Sequence, residues 1–207
     1  YLDSAGNAQL TLSQNGHLAA GVPGTVAGLF VCYKYAKLPF KTLIQPAIDL
    51  AEKGYAITAG EAPSLNRSAE EFAKNITILP VFVKTGGWKP GDTLVQKELA
   101  NTLKGIRDNG QAGFYEGETA RLIVEEMKRG RGIISASDLK NYTAKERQPV
   151  IFNYKGHSII TMPLPSSGGV LLPQMMNMIA MQPVKDYGFQ TAQSVQLMTE
   201  IERRAYA

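Results

Sequence analysis

The most informative stretch of the sequence is residues 17–28, which read HLAAGVPGTVAG. Apolar residues follow it at helical spacing, so a helix is predicted to begin here; they are Val26, Leu29, Phe30, Tyr33 and Ala36. The stretch has neither the lysine of a P-loop nor the G-x-G of a dinucleotide fingerprint. Gly24 at the helix entry and Gly28 one turn later would instead let this helix pack closely. We interpret these glycines as structural on these residues alone.

Helices are predicted to dominate the rest of the chain, with a small amount of sheet. Helical periodicity and end signals place them at about 42–53 with Gly54 as a stop, at 64–74 with a capping-box spacing from Ser68 to Glu71, from Asp92 to Asn109-Gly110, at 118–128, from Ser135-x-x-Asp138, at 170–181, and at 191–207. Strands are expected near residues 1–22, 76–84, 150–154 and 158–162, the last two joined at 155–157. This pattern predicts a layered α/β structure rather than a helical bundle.

Composition excludes several classes of protein. Among 207 residues with a net charge of +4, the single Cys32 and the two histidines rule out a disulfide scaffold and make a Cys/His metal cage improbable, so no cofactor is predicted. No apolar run approaches the roughly 18 residues that cross a bilayer. The basic run 128–131 follows an acidic helix and is interpreted as its C-terminal cap, not as a nucleic-acid surface.

The two ends of the sequence suggest a piece of a larger protein. The chain begins at Tyr1 without a basic-then-apolar signal region. The segment 191–207 is still helix-periodic where it stops, and no Gly, Asn or Pro terminates it.

Three short patterns imitate a penicillin-recognising enzyme. Residues 137–140 fit S-x-x-K, residues 64–66 fit S-x-N and residues 84–86 fit K-T-G. Their order along the chain would require a circularly permuted fold, and such short patterns arise easily by chance. Ser137 is better explained as part of a helix start, so we do not favour this hypothesis.

The candidate binding residues are Ser166, Ser167, Gly168 and Gly169, at a predicted strand-to-helix junction. Small residues there free backbone N–H groups to bind an anion or a carbonyl oxygen at the helix N-terminus. The elbow pattern G-x-S-x-G is absent, and His157 is a poor partner at the far end of the intervening strand. For the serines themselves, a tight turn with Ser166 or Ser167 as N-cap is the favoured interpretation.

The remaining polar and sulfur-containing residues carry weaker signals. Both histidines, His17 and His157, adjoin turn residues and are expected at the surface. Glycosylation sequons begin at Asn66, Asn75 and Asn141 and matter only in a eukaryotic secretory context. The methionines of the 170–181 helix are interpreted as core; they are Met175, Met176, Met178 and Met181. Chemistry alone therefore identifies no convincing active site.

The order of the motifs does carry a resemblance. Residues 17–28 closely resemble the H-L-A-S-G-x-P-G-T-V-A-G segment of γ-glutamyltranspeptidases. Further matches follow in that family's order and spacing, at 45–47 with Leu50, Ala51 and Gly54, at 91–96, at 114–117, at Ile134 with Asp138, Leu139 and Tyr142, and at 162–169. The resemblance spans essentially the whole chain. Arg131 stands where the family often has a second glycine.

This resemblance implies a fold and a reaction. In that family a precursor cleaves itself into a large and a small subunit within an αββα N-terminal-nucleophile hydrolase sandwich. The chain would be the helix-rich part of that α/β sandwich with an incomplete sheet, a single segment 1–207 from the middle to late part of the large subunit. The threonine exposed by cleavage attacks a γ-glutamyl carbonyl, usually that of glutathione, and water or an amino acid then takes the glutamyl group.

The resemblance also implies that the reacting groups belong to other parts of the precursor. The nucleophile lies in a Thr-Thr/Ser-His context that no threonine here shows, so no catalytic residue is assigned and the chain alone is expected to be inactive. The expected partners are the small subunit and γ-glutamyl compounds, and the expected location is periplasmic or extracellular. Two alternatives remain open: a related acylase of the cephalosporin or poly-γ-glutamate type, and a non-catalytic helical scaffold or binding domain.

Overall fold

The structure is a computed structural model that describes residues 1–74 and 78–207, and the chain divides into two compact units, Tyr1–Ala144 and Lys145–Ala207. The first unit contains helices α1 (Leu10–Gln14), α2 (Thr25–Tyr33), α3 (Phe40–Lys53), α4 (Glu61–Lys74), α5 (Lys97–Asn109), α6 (Ala112–Tyr115), α7 (Gly117–Arg129) and α8 (Ala136–Lys140), and strands β1 (Tyr55–Ala56) and β2 (Thr93–Leu94). The second contains strands β3 (Val150–Tyr154) and β4 (His157–Thr161) and helices α9 (Gly168–Ala180) and α10 (Ala192–Ala205).

The main core of the first unit is built from side chains far apart in sequence. Its buried members come from α2, α5, α6, α7, α8 and the loop before α8, and they are Val26, Ala27, Ile106, Tyr115, Ala120, Ile134 and Leu139. Helices α5 and α7 are amphipathic, so each turns one apolar face inward. Helix α2 differs, because its sequence TVAGLFVCY is apolar on every side.

A smaller core lies around the ribbon of β1 and β2, which pair antiparallel. Trp88 is buried there with Ile57, Ala62 and Leu94. The Asn66 side chain spans the Trp88 backbone: its Oδ1 accepts from the Trp88 N–H at 2.7 Å and its Nδ2 donates to the Trp88 carbonyl at 2.9 Å. Because both polar ends of the amide are paired, Asn66 ties helix α4 to the loop before β2.

The second unit joins a hairpin to two helices. Strands β3 and β4 pair antiparallel with Tyr154 opposite His157, so Lys155 and Gly156 form a two-residue turn in which both φ angles are positive. The side chains along β3 alternate between half-buried and exposed, as expected for a strand with one covered face. Helix α10 begins at the Thr191 side chain, which accepts from the Ser194 N–H at 3.2 Å.

Several helix ends agree with the sequence prediction. Gly54 follows α3 with φ +83°, and its N–H donates to the Leu50 carbonyl, so the predicted stop is confirmed. The capping box at Ser135 and Asp138 is also confirmed, with both reciprocal hydrogen bonds present. The late hairpin and the helices near 118–128 and 170–181 are found within two residues of their predicted bounds.

Other predictions about elements were wrong. Residues 1–22 hold a single bridge between Leu2 and Ala8, followed by α1 and a 3-10 turn at His17–Ala19, not a pair of strands. The cause is local: the Asp3 carboxylate accepts from the Ala5 and Asn7 N–H groups and closes a turn.

The starts of two helices were also predicted at the wrong residues. Helix α4 begins at Glu61 rather than at residue 64, because Thr58 and Glu61 exchange capping hydrogen bonds. The capping-box spacing from Ser68 to Glu71 lies inside the helix. Helix α5 begins at Lys97 because Asp92 turns its carboxylate to Lys84 and Lys89 instead of to a helix. The described part of the predicted strand 76–84 is turn and irregular backbone, while residues 75–77 lie outside the described residues.

Candidate functional site

A tyrosine hydroxyl fixes the loop at the centre of the 17–28 stretch. Tyr115, the last residue of α6, donates from its hydroxyl to the Pro23 carbonyl at 2.7 Å. The same oxygen accepts from the Ala27 N–H at 3.2 Å, in the first turn of α2. Because Tyr115 is buried, its hydroxyl takes the place of water as partner for two backbone groups at the start of α2.

A second tyrosine covers the same loop. The Tyr142 ring stacks on the Tyr115 ring, with centroids 5.8 Å apart and planes 18° apart. Its hydroxyl occupies the space that a Cβ atom on Gly24 would need, so only glycine fits there. The segments 17–28, 114–117 and 138–142, which carry the resemblance, therefore meet at one place in the first unit.

His17 is held at the other end of the 17–28 stretch. Its Nε2 lies 2.8 Å from Glu126 Oε1 on α7, and its side chain is only 14% exposed. Gly130 and Gly132 pack directly against the imidazole and its backbone, leaving no room for a side chain. The prediction that His17 lies at the surface is therefore wrong, because the glycines after α7 close over it.

Arg131, between those two glycines, adopts the left-handed backbone with φ +60°. Non-glycine residues occupy this region at a cost of roughly 1 to 2 kcal/mol. The tight turn over His17 thus imposes a glycine-like conformation on an arginine.

The predicted binding loop lies between β4 and α9 in the second unit. The Ser166 N–H donates to the Pro163 carbonyl at 3.1 Å, and the Ser166 hydroxyl accepts from the Gly168 N–H at 3.3 Å. Gly169 is buried against the Met162 carbonyl, which a Cβ atom would strike. The loop is therefore a close-packed turn whose shape depends on small residues.

The serines of this loop do not cap α9 with their side chains. Ser167 stands at the N-cap position and its carbonyl accepts from the Val170 and Leu171 N–H groups. Its backbone is already helical and its hydroxyl makes no capping hydrogen bond. The prediction of a serine N-cap is thus right in position for Ser167 but wrong in mechanism. Ser166 acts by closing the turn.

The polar residues of the three patterns that imitate a penicillin-recognising enzyme make separate hydrogen bonds and ion pairs in the structure. Ser137 accepts from Asn141 at 3.0 Å, and Lys140 approaches Glu116 at 3.9 Å. Both polar atoms of the Asn66 side-chain amide are hydrogen-bonded to the Trp88 backbone. Lys84 donates to Asp92 at 2.6 Å and lies 5.1 Å from the centre of the Trp88 ring.

The contact between Lys84 and Asp92 also changes the pKa of Asp92. The hydrogen bond from Lys84, followed by the one from the Lys89 backbone N–H, lowers the pKa of Asp92 below its ordinary value of 3.8. The K-T-G lysine therefore acts as the ion-pair partner of Asp92 at the edge of the smaller core, beside Trp88.

The structure also gives the exposure of the second histidine, the methionines and the glycosylation sequons. His157 lies exposed in β4. Of the α9 methionines, three are half-buried and Met181 is largely exposed, which contradicts its assignment to the core. Of the sequons, Asn66 has its side-chain amide engaged, Asn141 is exposed and Asn75 lies outside the described residues.

The described residues offer neither a metal site nor a membrane span. Within residues 1–74 and 78–207, no group of three or more His, Cys, Asp or Glu side chains is arranged to hold a metal ion. No helix in this described part is both long and apolar enough to cross a bilayer.

Sequence reasoning missed two residues that organise this region, Tyr115 and Glu126. Tyr115 lies within the quoted 114–117 match, so the family resemblance pointed to its position. Nothing in the sequence indicated that its hydroxyl binds the loop before α2. Glu126 pairs with a histidine 109 residues away, and no local pattern indicates such a contact.

Comparison with known proteins extends these observations. The chain is 41% identical over 209 residues to a glutathione hydrolase proenzyme of Pseudomonas sp. (strain A14), and 40% identical over 210 residues to one of Escherichia coli (strain K12). All of this chain is matched in both cases, and it spans 36% of the length of each relative.

Solved structures agree with the sequence matches. The crystal structure of Helicobacter pylori gamma-glutamyltranspeptidase superposes with a TM-score of 0.90 at 40% identity, over the whole of this chain and 60% of that one. The fold is thus that of an N-terminal-nucleophile hydrolase, as the resemblance implied. The family model for gamma-glutamyltranspeptidase also matches residues 1–207, which include the HLAAGVPGTVAG stretch and the loop before α9. The chain therefore belongs to the gamma-glutamyltranspeptidase family.

Proposed function

We propose that the chain is the middle to late part of the large subunit of a γ-glutamyltransferase and glutathione hydrolase. The observation that carries this proposal is the family match over residues 1–207, in which the 17–28 segment is hydrogen-bonded to the Tyr115 hydroxyl of the 114–117 segment. The donors would be glutathione-like γ-glutamyl compounds, and the acceptors would be water or the amine of an amino acid.

The reaction we propose for the whole protein uses a threonine outside residues 1–207. Its hydroxyl oxygen attacks the γ-glutamyl carbonyl, so that an ester bond to the enzyme forms as the amide bond of the donor breaks. The α-amino group of the same threonine takes the hydroxyl proton and passes it to the departing amine. Water or an acceptor amine then attacks the ester and restores the free threonine.

The residues of this chain would serve that reaction by holding backbone in place. The Tyr115 and Tyr142 rings fix the 17–28 stretch, and the His17–Glu126 contact anchors its beginning. Groups that position a site must be rigid, since a displacement of about 1 Å can cost roughly 100-fold in rate. Buried hydrogen bonds and close-packed glycines provide such rigidity.

The loop of Ser166, Ser167, Gly168 and Gly169 is our candidate for a substrate-adjacent segment. It lies at the N-terminus of the 13-residue helix α9, where backbone N–H groups and the helix dipole favour an anion or a carbonyl oxygen. The Gly168 N–H is already bonded to Ser166, so any donor would come from its neighbours.

A pair of glycine variants in the full-length enzyme tests this loop. Gly169→Ala places a methyl group against the Met162 carbonyl and should shift the loop, lowering kcat/KM by about 10-fold or more. Gly60→Ala is the matched control, because Gly60 lies outside the loop and its Cβ atom would meet nothing within 4 Å. Equal activity of both variants and the wild type would remove the loop from the site.

The catalytic proposal is tested by γ-glutamyl-p-nitroanilide turnover. The full-length precursor, after maturation, should release p-nitroaniline, and its rate should rise when an acceptor dipeptide is added. The 207-residue chain should release none. Turnover by the 207-residue chain at the rate of the intact enzyme would show that the nucleophile lies within it.

We also propose that the whole protein works in the periplasm or outside the cell. This follows from family membership rather than from any segment of residues 1–207. Cell fractionation of the source organism, with an antibody against the chain, should find it in the periplasmic or secreted fraction. Its recovery with cytosolic markers would contradict the proposal.

A further inference from the structure

Two asparagines in the sequence are followed directly by glycine, at residues 15–16 and 109–110. In such a pair the backbone nitrogen of the glycine can reach the side-chain carbonyl carbon of the asparagine and close a five-membered ring. Glycine permits this approach because it has no Cβ atom beside the nitrogen. The reaction needs no enzyme, but the backbone between the two residues must be free to turn. The two pairs differ in that freedom.

Asn15 and Gly16 form the joint between α1 and the 3-10 turn at His17–Ala19, and both are exposed. Asn15 has an extended backbone, and Gly16 has φ +78°, in the left-handed region that favours glycine. Within residues 1–74 and 78–207, no hydrogen bond engages the Asn15 side-chain amide or the Gly16 N–H. The described part of the chain therefore ties down neither of the two reacting groups.

Asn109 and Gly110 are the same pair of residues in a restrained setting. Asn109 is the last residue of α5, and its side-chain amide donates to the Gly105 carbonyl at 3.3 Å. The Gly110 N–H donates to the Ile106 carbonyl at 2.9 Å. Because the attacking nitrogen and the amide are both hydrogen-bonded, ring closure here would first have to open the last turn of the helix.

We propose that Asn15 is a site of spontaneous deamidation. The Gly16 backbone nitrogen loses its proton and attacks the Asn15 side-chain carbonyl carbon. A carbon–nitrogen bond forms, the bond to the side-chain nitrogen breaks, and that nitrogen leaves as ammonia with the proton. Water then opens the resulting succinimide at either of its carbonyl carbons and gives aspartate or isoaspartate. Water is the only co-reactant, and nothing is oxidised or reduced.

The position of this site gives the modification a structural consequence. Residue 15 lies two positions before His17, whose Nε2 is 2.8 Å from Glu126 Oε1. Both products place a new carboxylate at the exposed joint. Isoaspartate also carries the chain through the former side-chain carbon, so the backbone between α1 and His17 becomes one carbon longer. The proposal depends on the described structure alone, and not on the proposed function.

The two asparagines of one protein provide the test. The mature full-length enzyme is incubated in mildly alkaline buffer, and its peptides are followed by mass spectrometry. In the folded enzyme, conversion at Asn15 should be at least about 10-fold faster than at Asn109. In urea the two rates should agree within about threefold, because the helix no longer protects Asn109. Equal rates in the folded enzyme, or conversion at Asn15 only in urea, would overturn the proposal.

The products and one variant test the chemical step. A succinimide opens in two ways, so both isoaspartate and aspartate should accumulate at residue 15, whereas direct hydrolysis of the amide would give aspartate alone and would contradict the proposal. A Cβ atom on Gly16 would meet nothing within 4 Å. Gly16→Ala should therefore keep the surrounding contacts while its methyl group shields the nitrogen, and conversion should slow by at least about 10-fold.

Asn109→Gln is the matched control and should leave conversion at Asn15 unchanged. An undiminished rate in Gly16→Ala would show that the Gly16 nitrogen is not the attacking group and would overturn the proposal. If Gly16→Ala does not fold, the comparison of Asn15 with Asn109 in the wild type still decides the question. Turnover of γ-glutamyl-p-nitroanilide, measured on the same samples, tests the proposed function separately.

Discussion

At the scale of single residues, the Tyr115 hydroxyl is the contact that most directly shapes the loop before α2. Tyr115→Phe removes one hydroxyl and leaves the Pro23 carbonyl and the Ala27 N–H without that partner. We expect the free energy of unfolding to fall by about 1 to 3 kcal/mol, because buried groups are left unpaired. Urea unfolding measures this, with the exposed Tyr35→Phe as control. Equal stability of the two variants would contradict the prediction.

The contact between Gly24 and Tyr142 is a second single-residue test. Gly24→Ala should cost about 1 to 3 kcal/mol, because the new methyl group overlaps the Tyr142 hydroxyl. Tyr142→Phe removes the overlapping oxygen, so the double variant should recover part of that loss. A double-mutant cycle measures the coupling, which should be at least about 0.5 kcal/mol. Strict additivity would mean that Tyr142 is not what excludes a side chain at Gly24.

At the scale of elements, several local signals were predicted correctly, but the turn closed by Asp3, the starts of α4 and α5, and the long-range pairing of strands were not. The Ser135–Asp138 capping box, the Gly54 stop and the hairpin turn at Lys155-Gly156 depend on neighbours within a few residues, so the sequence alone predicts them. The pairing of β1 with β2 joins two-residue strands almost 40 positions apart. Strands that short have no periodicity to detect.

The same limit applies to the candidate site. The loop 166–169 was found because small residues between a strand and a helix are a local pattern. The convergence of the 17–28, 114–117 and 138–142 segments on one loop is a property of the folded chain. Resemblance to a family supplied the segments, but only the structure showed that Tyr115 and Tyr142 join them.

The hairpin of β3 and β4 allows an element-scale prediction. Lys155 has φ +46° and Gly156 φ +82°, the geometry of a type I′ turn, in which Asn-Gly is preferred. Lys155→Asn should therefore strengthen the hairpin, and hydrogen exchange of the β3 and β4 amides should slow by up to about threefold. Lys185→Asn, outside the hairpin, is the control and should change nothing. Faster exchange in Lys155→Asn would contradict the prediction.

The capping box of α8 should give stability a dependence on pH. Hydrogen bonds from the Ser135 side chain, and then from its backbone N–H, lower the pKa of Asp138 below its ordinary 3.8. A carboxyl group with a lowered pKa in the folded state stabilises the fold above pH 3.8 and loses this contribution as pH falls through the folded value. Asp138→Asn should show a smaller loss of stability between pH 5 and 2 than the wild type. Parallel curves for the two proteins would refute the prediction.

At the scale of the whole molecule, the 207 residues leave much apolar surface open to water. The exposed large side chains occur in both units and include Leu29, Tyr35, Ile133, Met181 and Phe189, the last 92% exposed. Where such side chains form a large contiguous patch on a soluble protein, the patch usually marks a surface that a partner covers. A chain that is part of a larger precursor would be expected to have such surfaces, whereas a self-contained scaffold domain would not.

This difference can be measured with a fluorescent hydrophobic dye. At equal molar concentration and neutral pH, the 207-residue chain should enhance the dye's fluorescence strongly, and the mature full-length enzyme should do so several-fold less, because its remaining segments cover apolar surface. Urea unfolding should be broad for the chain and cooperative for the enzyme. Fluorescence of the chain as low as that of the enzyme, together with a single sharp transition, would instead mean that residues 1–207 form a complete domain. The exposed apolar side chains of the helices would then need an explanation other than the absence of the segments that cover them.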